Sequence, residues 1–200
     1  SSIPKVNGKA ENWEADYSAA AADLIAKHKD WSEPGLANFL SQKLPTAATL
    51  FISSSRPIRD LESFATPRTG IETFANRGLA GIDGNISTAL GIALKRTNTY
   101  AVIGDLSFLH DLTGLVNQEA INLKLLVLNN DGGGIFSTLP QAGVSGFETI
   151  FGTPHGLDLV EIAKSFAIKT TEINNYSELE KFLNSDQGLQ IGICQMPDRK

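Results

Sequence analysis

The chain has 200 residues, 42% of them hydrophobic, with a formal net charge of −5 and a pI near 5.2. That is enough apolar material for a sizeable core, while the acidic balance excludes a general electrostatic attraction to nucleic acid or anionic lipid. The single cysteine, Cys194, excludes an internal disulfide and a Cys-rich zinc site; its apolar setting in LQIGICQM marks a buried core thiol, with the cytoplasm as the default address.

After a polar, linker-like start through residue 12, residues 13–200 read as one α/β domain. WEADYSAAAADLIAKH is alanine-rich and helical, and PGLANFLSQKL opens a helix on proline, whose fixed φ suits the first turn. TLFISSS is the first strand, followed by a helical RPIRDLESFA and a second strand in GIETFANRG. NISTALGIALKR follows as a helix with Asn85 as its N-cap, then TYAVIGD as a third strand, DLTGLVNQEAIN as a helix and KLLVLNND as a fourth strand. Two helix–strand units close the chain: DLVEIAKSFA into IKTTEI, and SELEKFLNS into LQIGICQM. Short apolar runs alternating with helical ones predict an α/β three-layer sandwich, a mostly parallel sheet of about six strands flanked by helices. No apolar run is long enough to span a bilayer, and the N-terminus has no signal-like apolar centre. Residues Gly132 to Leu157 form a long, glycine-rich stretch with aromatic residues, which marks a functional loop rather than a mere connection.

Two of the strands end abruptly in oxygen-bearing side chains. AVIGD ends in the carboxylate of Asp105, and LVLNN ends in the carboxamide of Asn130 with Gly132, Gly133 and Gly134 directly behind it. Open α/β sheets bind ligands at the carboxyl ends of their strands, so neighbouring strands would bring together one carboxylate, one amide oxygen and one backbone carbonyl. That set suits magnesium, which takes octahedral oxygen ligands, is held by one or two carboxylates, and completes its shell with water and phosphate. The glycines allow close approach to a phosphate, and a helix beginning near Asp111 would offer its N-terminus to the same anion.

GD at 104–105 followed by NN at 129–130 and glycine resembles the magnesium and diphosphate motif of thiamine-diphosphate enzymes, with Leu106 where most of that family has a third-position glycine. The fuller strings FANRGLAGIDGNISTALGIAL, VIGDLSFLHDL and LLVLNNDGGGIFSTLP, with SSSRPIRDLE and FGTPHGLDL, resemble the C-terminal, diphosphate-binding domain of the SEPHCHC synthases of menaquinone biosynthesis. The resemblance runs from about Thr49 to Leu159. It implies Mg²⁺ (or Mn²⁺) held by Asp105, Asn130 and the carbonyl of Gly132, thiamine diphosphate lying along Gly104, Leu106 and Ser107, and Ile82 as the apolar prop of the bent cofactor. Ser55, Arg59 and Arg77 match residues that hold substrate carboxylates, and Ile135, Phe136 and Leu139 match the apolar lining. The implied reaction is decarboxylation of 2-oxoglutarate and addition of the succinyl carbanion equivalent to isochorismate. Two arginines on a net-acidic chain suit such polyanions, since their planar forks hold carboxylates bidentately. The resemblance also implies a missing partner: an N-terminal pyrimidine-binding domain, presented by a neighbouring subunit of a homodimer or homotetramer, carries the glutamate that activates the cofactor. The chain is therefore expected to be a C-terminal fragment, inactive alone.

Each residue also has a plainer reading. An Asp or Asn after a strand is commonly a cap; a lone arginine is commonly a surface ion-pair partner; and the glycines at 78, 81 and 84 do not form the dinucleotide fingerprint. His110 and His155 have no third ligand at metal spacing, and His28 reads as a solvated helix surface. A different thiamine-dependent enzyme, such as an acetohydroxyacid synthase relative, would not need the second arginine. A non-catalytic diphosphate or nucleotide module would bind adenine nucleotides as well. A P-loop NTPase is excluded by the absence of GxxxxGK[ST].

Overall fold

The computed structural model describes residues 22–23, 25–28, 30–76, 78–116 and 121–197. Most of the helix expected over 13–28, and Arg77, lie outside the described residues. The elements are α1 (Glu33–Lys43), β1 (Ala48–Ile52), α2 (Arg56–Phe64), β2 (Ile71–Phe74), α3 (Asn85–Ala93), β3 (Thr99–Gly104), α4 (Asp105–His110), β4 (Leu123–Asn129), α5 (Leu159–Lys164), β5 (Lys169–Ile173), α6 (Tyr176–Leu183) and β6 (Leu189–Gln195). Short 3₁₀ turns occupy Leu112–Val116 and Gly134–Thr138, and a single π turn occupies Glu148–Gly152.

All six strands pair in parallel, in the order β2-β1-β3-β4-β6-β5. Strand residues alternate between two cores, as a period of two requires when both sheet faces are covered. Phe51, Ala101, Ile103, Leu125 and Val127 pack against α3, α4 and α5 through Ile86, Phe108 and Leu159. Leu50, Ile52, Val102, Leu126 and Cys194 pack against α1 and α6 through Leu36, Leu40, Leu179 and Phe182, with Ile58 and Leu61 of α2 alongside. Parallel crossovers are right-handed, so each change of direction along the sheet sends the intervening helix to the opposite face. The chain moves one way through α2 and α6 and the other way through α3, α4 and α5, and the helices divide between the faces accordingly. The direction reverses between β1 and β3, the position at which sheets of this kind open a ligand crevice.

Helix α1 starts where local chemistry sets it: Ser32 is the N-cap and accepts from Gly35 N, and Pro34 fills the first turn. Its approach is pinned by Trp31, whose Nε1 donates to the Gln195 carbonyl at 2.6 Å, and by Phe39 stacked on Tyr176 of α6 at 4.9 Å. Among the described residues no helix is long and apolar enough to cross a membrane. Cys194 is fully buried, and that burial pushes its thiol far above the ordinary value.

Two local expectations change. Asn85 is not the N-cap of α3: Gly84, left-handed at φ 65°, takes that place, while Asn85 is the first helical residue and is buried, donating to the Gly81 carbonyl and to Ser107 Oγ, each at 3.3 Å. Nor does a helix begin near Asp111. It begins at Asp105, directly from the end of β3, and Asp111 follows its last residue; the segment beyond is a 3₁₀ turn, with residues 117–120 outside the described set. Asp111 instead serves α3 from a distance: its carboxylate accepts from Ser87 N at 2.8 Å and from Ser87 Oγ at 3.2 Å, the work that Asn85 does not do. Asp111→Ala should therefore lower stability to urea unfolding by about 1–2 kcal/mol, the size of a lost N-cap. An unchanged midpoint would show that α3 does not depend on this carboxylate.

Candidate functional site

The carboxyl ends of β1, β3 and β4 surround a cavity of about 300 Å³. The loop after β1 contributes Ser55, and the loop before α3 contributes Ile82. The end of β3 contributes Gly104, Asp105, Leu106 and Ser107. Asn130 and Gly132 come from the end of β4, and Ile135 and Phe136 from the turn that follows. These are ten of the residues expected at the site. Arg59 and Leu139 do not line this cavity. Arg59 is exposed on α2, its Nη1 donating to the Ser55 carbonyl at 2.7 Å, and Leu139 is 38% exposed. Leu106, the departure from the usual glycine, is half-buried against the cavity.

Asp105 organises the floor of the site. Its side chain is only 3% exposed, and it gathers backbone amides: Leu106 N onto Oδ1 at 2.6 Å, and Gly132 N and Asn130 N onto Oδ2 at 2.8 and 3.2 Å. His155 completes the set with Nε2 at 3.4 Å from Oδ2. The Nδ1 atom of His155 accepts from Leu157 N at 3.0 Å, so Nε2 carries the proton of the neutral ring and donates to Asp105. Burial pushes the Asp105 carboxyl above its ordinary value, against the pull of the Gly132 and Leu106 amides and of His155. The loop behind β4 needs its glycines. Gly132 sits at φ 128°, and a Cβ on Gly133 would meet the Phe151 carbonyl at 2.2 Å. Gly133 N donates to the Gly152 carbonyl at 2.7 Å, which ties the π turn to the strand end, and Phe151 packs against Phe136 at 5.5 Å.

Asn130 is the unsatisfied member of the arrangement: its Oδ1 is buried and has no hydrogen-bond partner among the described residues. An unpaired buried acceptor costs about 1–3 kcal/mol and calls for an explanation. Its Nδ2 donates to Glu33 of α1, a residue that sequence reasoning did not place here. Glu33 is joined by Arg56, also missed, whose Nε lies 3.5 Å from Glu33 Oε2 and whose Nε and Nη2 fork onto Asp60 at 3.2 Å each. Burial raises the carboxyls of Glu33 and Asp60 above their ordinary values, and Arg56 is the charge that opposes it. No periodicity joins Glu33 to Asn130; SEPG before an apolar helix signals only a first-turn acid. Arg56, the first residue of α2, lines the cavity, whereas Arg59, three residues further along the helix, does not.

Asp105 and half-buried Glu33 line the cavity with Arg56 as the one guanidinium among its described lining residues, and Arg56 is already forked onto Asp60, a balance that leaves room for a further cation. Among the described residues no group of three His, Cys, Asp or Glu side chains is set to hold a metal. One carboxylate, one orphaned amide oxygen and the Gly132 carbonyl form a hard-oxygen set with places left open, which fits magnesium. Gly104 fits a close-lying group, since a Cβ added there would meet nothing within 4 Å. A wider, open groove of about 570 Å³ lies beyond His155, but Asp131, Asp158, Glu161 and Glu172 line it against one lysine, Lys164, which opposes an anionic ligand.

Residues 59–187 match the family model described as thiamine pyrophosphate enzyme, C-terminal TPP binding domain. The chain belongs to this family. Relatives named 2-succinyl-5-enolpyruvyl-6-hydroxy-3-cyclohexene-1-carboxylate synthase match this TPP-binding domain closely. That of Thermobifida fusca is 42% identical over 84% of this chain and 32% of its own length. That of Lysinibacillus sphaericus is 41% identical over 88% and 30%, and that of Geobacillus kaustophilus 38% identical over 94% and 34%. The TPP-binding domain thus spans about a third of the length of the curated relatives it matches. An X-ray structure from Mycobacterium smegmatis, named for thiamin diphosphate dependence, shares the fold with TM-score 0.62 at 22% identity, over 84% of this chain and 32% of that one.

Ser55 holds φ 76°, ψ −135°, a strained conformation for a residue with a Cβ, and its hydroxyl caps nothing although it stands at the N-cap of α2. Strain kept at a cavity wall is a mark of function over stability. Ser55→Gly should raise the unfolding free energy by about 1 kcal/mol, the relieved strain less the entropy of glycine. Ser55→Ala, which keeps the strain, should change it by less than about 0.5 kcal/mol. Equal effects of the two substitutions in thermal unfolding would contradict this reading of Ser55.

Proposed function

We propose that this chain is the diphosphate-binding part of a thiamine-diphosphate- and magnesium-dependent SEPHCHC synthase, which decarboxylates 2-oxoglutarate and joins the four-carbon remainder to isochorismate. The observation that carries the metal and diphosphate reading is the buried Oδ1 of Asn130, without a hydrogen-bond partner among the described residues, on a residue whose backbone nitrogen donates to the Asp105 carboxylate. The names of the relatives support the reaction. Residues 13–200, after a short tail, would be the single C-terminal diphosphate-binding domain of that larger enzyme. An N-terminal pyrimidine-binding domain, contributed by a neighbouring subunit of a homodimer or homotetramer, would complete the active site, so the chain alone would not turn over.

When bound, thiamine diphosphate supplies the electron sink for loss of CO₂ and the carbon nucleophile for C–C bond formation. The protein's share is position and charge. Asp105, Asn130 Oδ1 and the Gly132 carbonyl would hold Mg²⁺, while Gly104, Leu106 and Ser107 flank the diphosphate. Ile82 would set the bend of the cofactor. Ser55, Arg59 and Arg77 would hold substrate carboxylates: Arg56 is engaged by Glu33 and Asp60, whereas exposed Arg59 is tied only through one nitrogen to a backbone carbonyl in the described contacts. Ile135 and Phe136, with Leu139 at the rim, would keep water from the reacting carboxylate and so favour its departure as CO₂.

Calorimetric titration with thiamine diphosphate tests this directly. Binding should require Mg²⁺ and be abolished by Asp105→Ala, and ADP should compete weakly. Because the Asp105 carboxyl lies above its ordinary value and a metal binds only the ionised form, affinity should rise, with proton release, as pH is raised through and beyond the ordinary carboxylate range. Magnesium-independent binding, or equal binding of ADP, would replace this function with that of a general nucleotide module.

A further inference from the structure

Glu33 is distant in sequence from every residue of the proposed metal site, yet it is the partner of the carboxamide on which that site depends. Its side chain is 11% exposed, and it leaves the first turn of α1, whose start is fixed by the Ser32 cap and by the Trp31 bond to Gln195. A carboxylate only accepts hydrogen bonds, so it selects which end of the Asn130 amide faces it: the nitrogen, which donates to Oε1. Flipping the amide would set its oxygen against the carboxylate. Oδ1 is thereby held at the opposite end, buried and without a partner among the described residues, while the backbone nitrogen of the same residue donates to Asp105. Glu33 is itself held, with Oε2 3.5 Å from the Nε of Arg56, and Arg56 is braced in turn by its two bonds to Asp60.

We propose that Glu33 is the positioning residue of the magnesium site: clamped by Arg56, it locks the Asn130 carboxamide in the orientation that presents Oδ1 to the metal. The inference rests on the reading of Asp105 and Asn130 as metal ligands. It makes α1 part of the cofactor machinery through the Asn130 carboxamide. The chain from Asp60 through Arg56 and Glu33 to Asn130 links the ends of β1 and β4 across the cavity. Partners behind a ligating group set its orientation, and their loss weakens metal binding about ten- to a hundredfold.

The test is Mn²⁺ binding to the full chain in the presence of thiamine diphosphate, read from the electron paramagnetic resonance of free Mn²⁺. Glu33→Gln, which offers either end of an amide to Asn130, should weaken Mn²⁺ binding about ten- to a hundredfold without lowering the metal-free melting temperature. In an Asn130→Asp background both ligand atoms are oxygens and orientation no longer matters. There Glu33→Gln should leave Mn²⁺ binding unchanged or tighten it, because a like charge is removed. Wild-type affinity in Glu33→Gln, or an equal loss in both backgrounds, overturns the proposal. Should Glu33→Gln not fold, Arg56→Lys loosens the same clamp: a severalfold weakening supports the proposal and unchanged binding overturns it. Asp105→Ala separates the two levels of inference. If it binds Mn²⁺ like the wild type, the metal-site reading itself falls and the role of Glu33 with it.

Discussion

A single buried carboxylate at the end of β3 sets the geometry of everything around the cavity. Asp105 accepts from its own helix through Leu106, from the end of β4 through Asn130 and Gly132, and from His155 at the far end of the glycine-rich loop. Burying that charge disfavours its ionised form, and the Gly132 and Leu106 amides together with His155 offset only part of the cost. Asn130 Oδ1, on the residue whose backbone nitrogen donates to Asp105, is a buried acceptor with no hydrogen-bond partner among the described residues. These two features, at one end of an otherwise well-packed sheet, are what the proposed divalent-ion site rests on.

The sheet makes this arrangement possible. Gly104 pairs in register with Leu128, so the ends of β3 and β4 finish level and their next residues meet across one strand spacing. The reversal of direction between β1 and β3 opens the crevice at the same edge, and α1 closes one side of it with Glu33. The long segment after β4 returns through the Gly133–Gly152 bond to bring His155 under Asp105, which explains why that loop is rich in glycine and aromatic residues. The two cores on either face of the sheet hold the strands at this spacing, so fold and site share one frame.

Much of this was legible in the sequence. Apolar runs such as LKLLVLN, buried on both faces, announce strands without ambiguity, and all six strand expectations coincide with strands in a fully parallel sheet. Asp105 and Asn130 were visible as the oxygen-bearing residues that end two such runs. Local boundaries were harder. DLSFLH is as apolar as a strand continuation, and nothing in it shows that β3 passes straight into a helix at Asp105, so the sequence pattern points to a helix from near Asp111 instead. Asn85 looks like an N-cap, but Gly84 reaches the left-handed conformation more readily and frees Asn85 for a buried bond to Ser107. Glu33 and Arg56 were invisible for another reason. Their role depends on the packing of α1 and α2 over the strand ends, and no local pattern encodes a hydrogen bond between residues 97 positions apart.

The central claim is that a metal ion bridges the ends of β3 and β4, and it is tested most directly by anomalous diffraction at the manganese edge from crystals of the chain grown with thiamine diphosphate and MnCl₂. One peak is expected about 2.0–2.3 Å from the Asp105 carboxylate, Asn130 Oδ1 and the Gly132 carbonyl, with the diphosphate beside Gly104. A peak confined to the acidic groove around Asp131 and Glu161, with Asn130 Oδ1 still unpartnered, would contradict it.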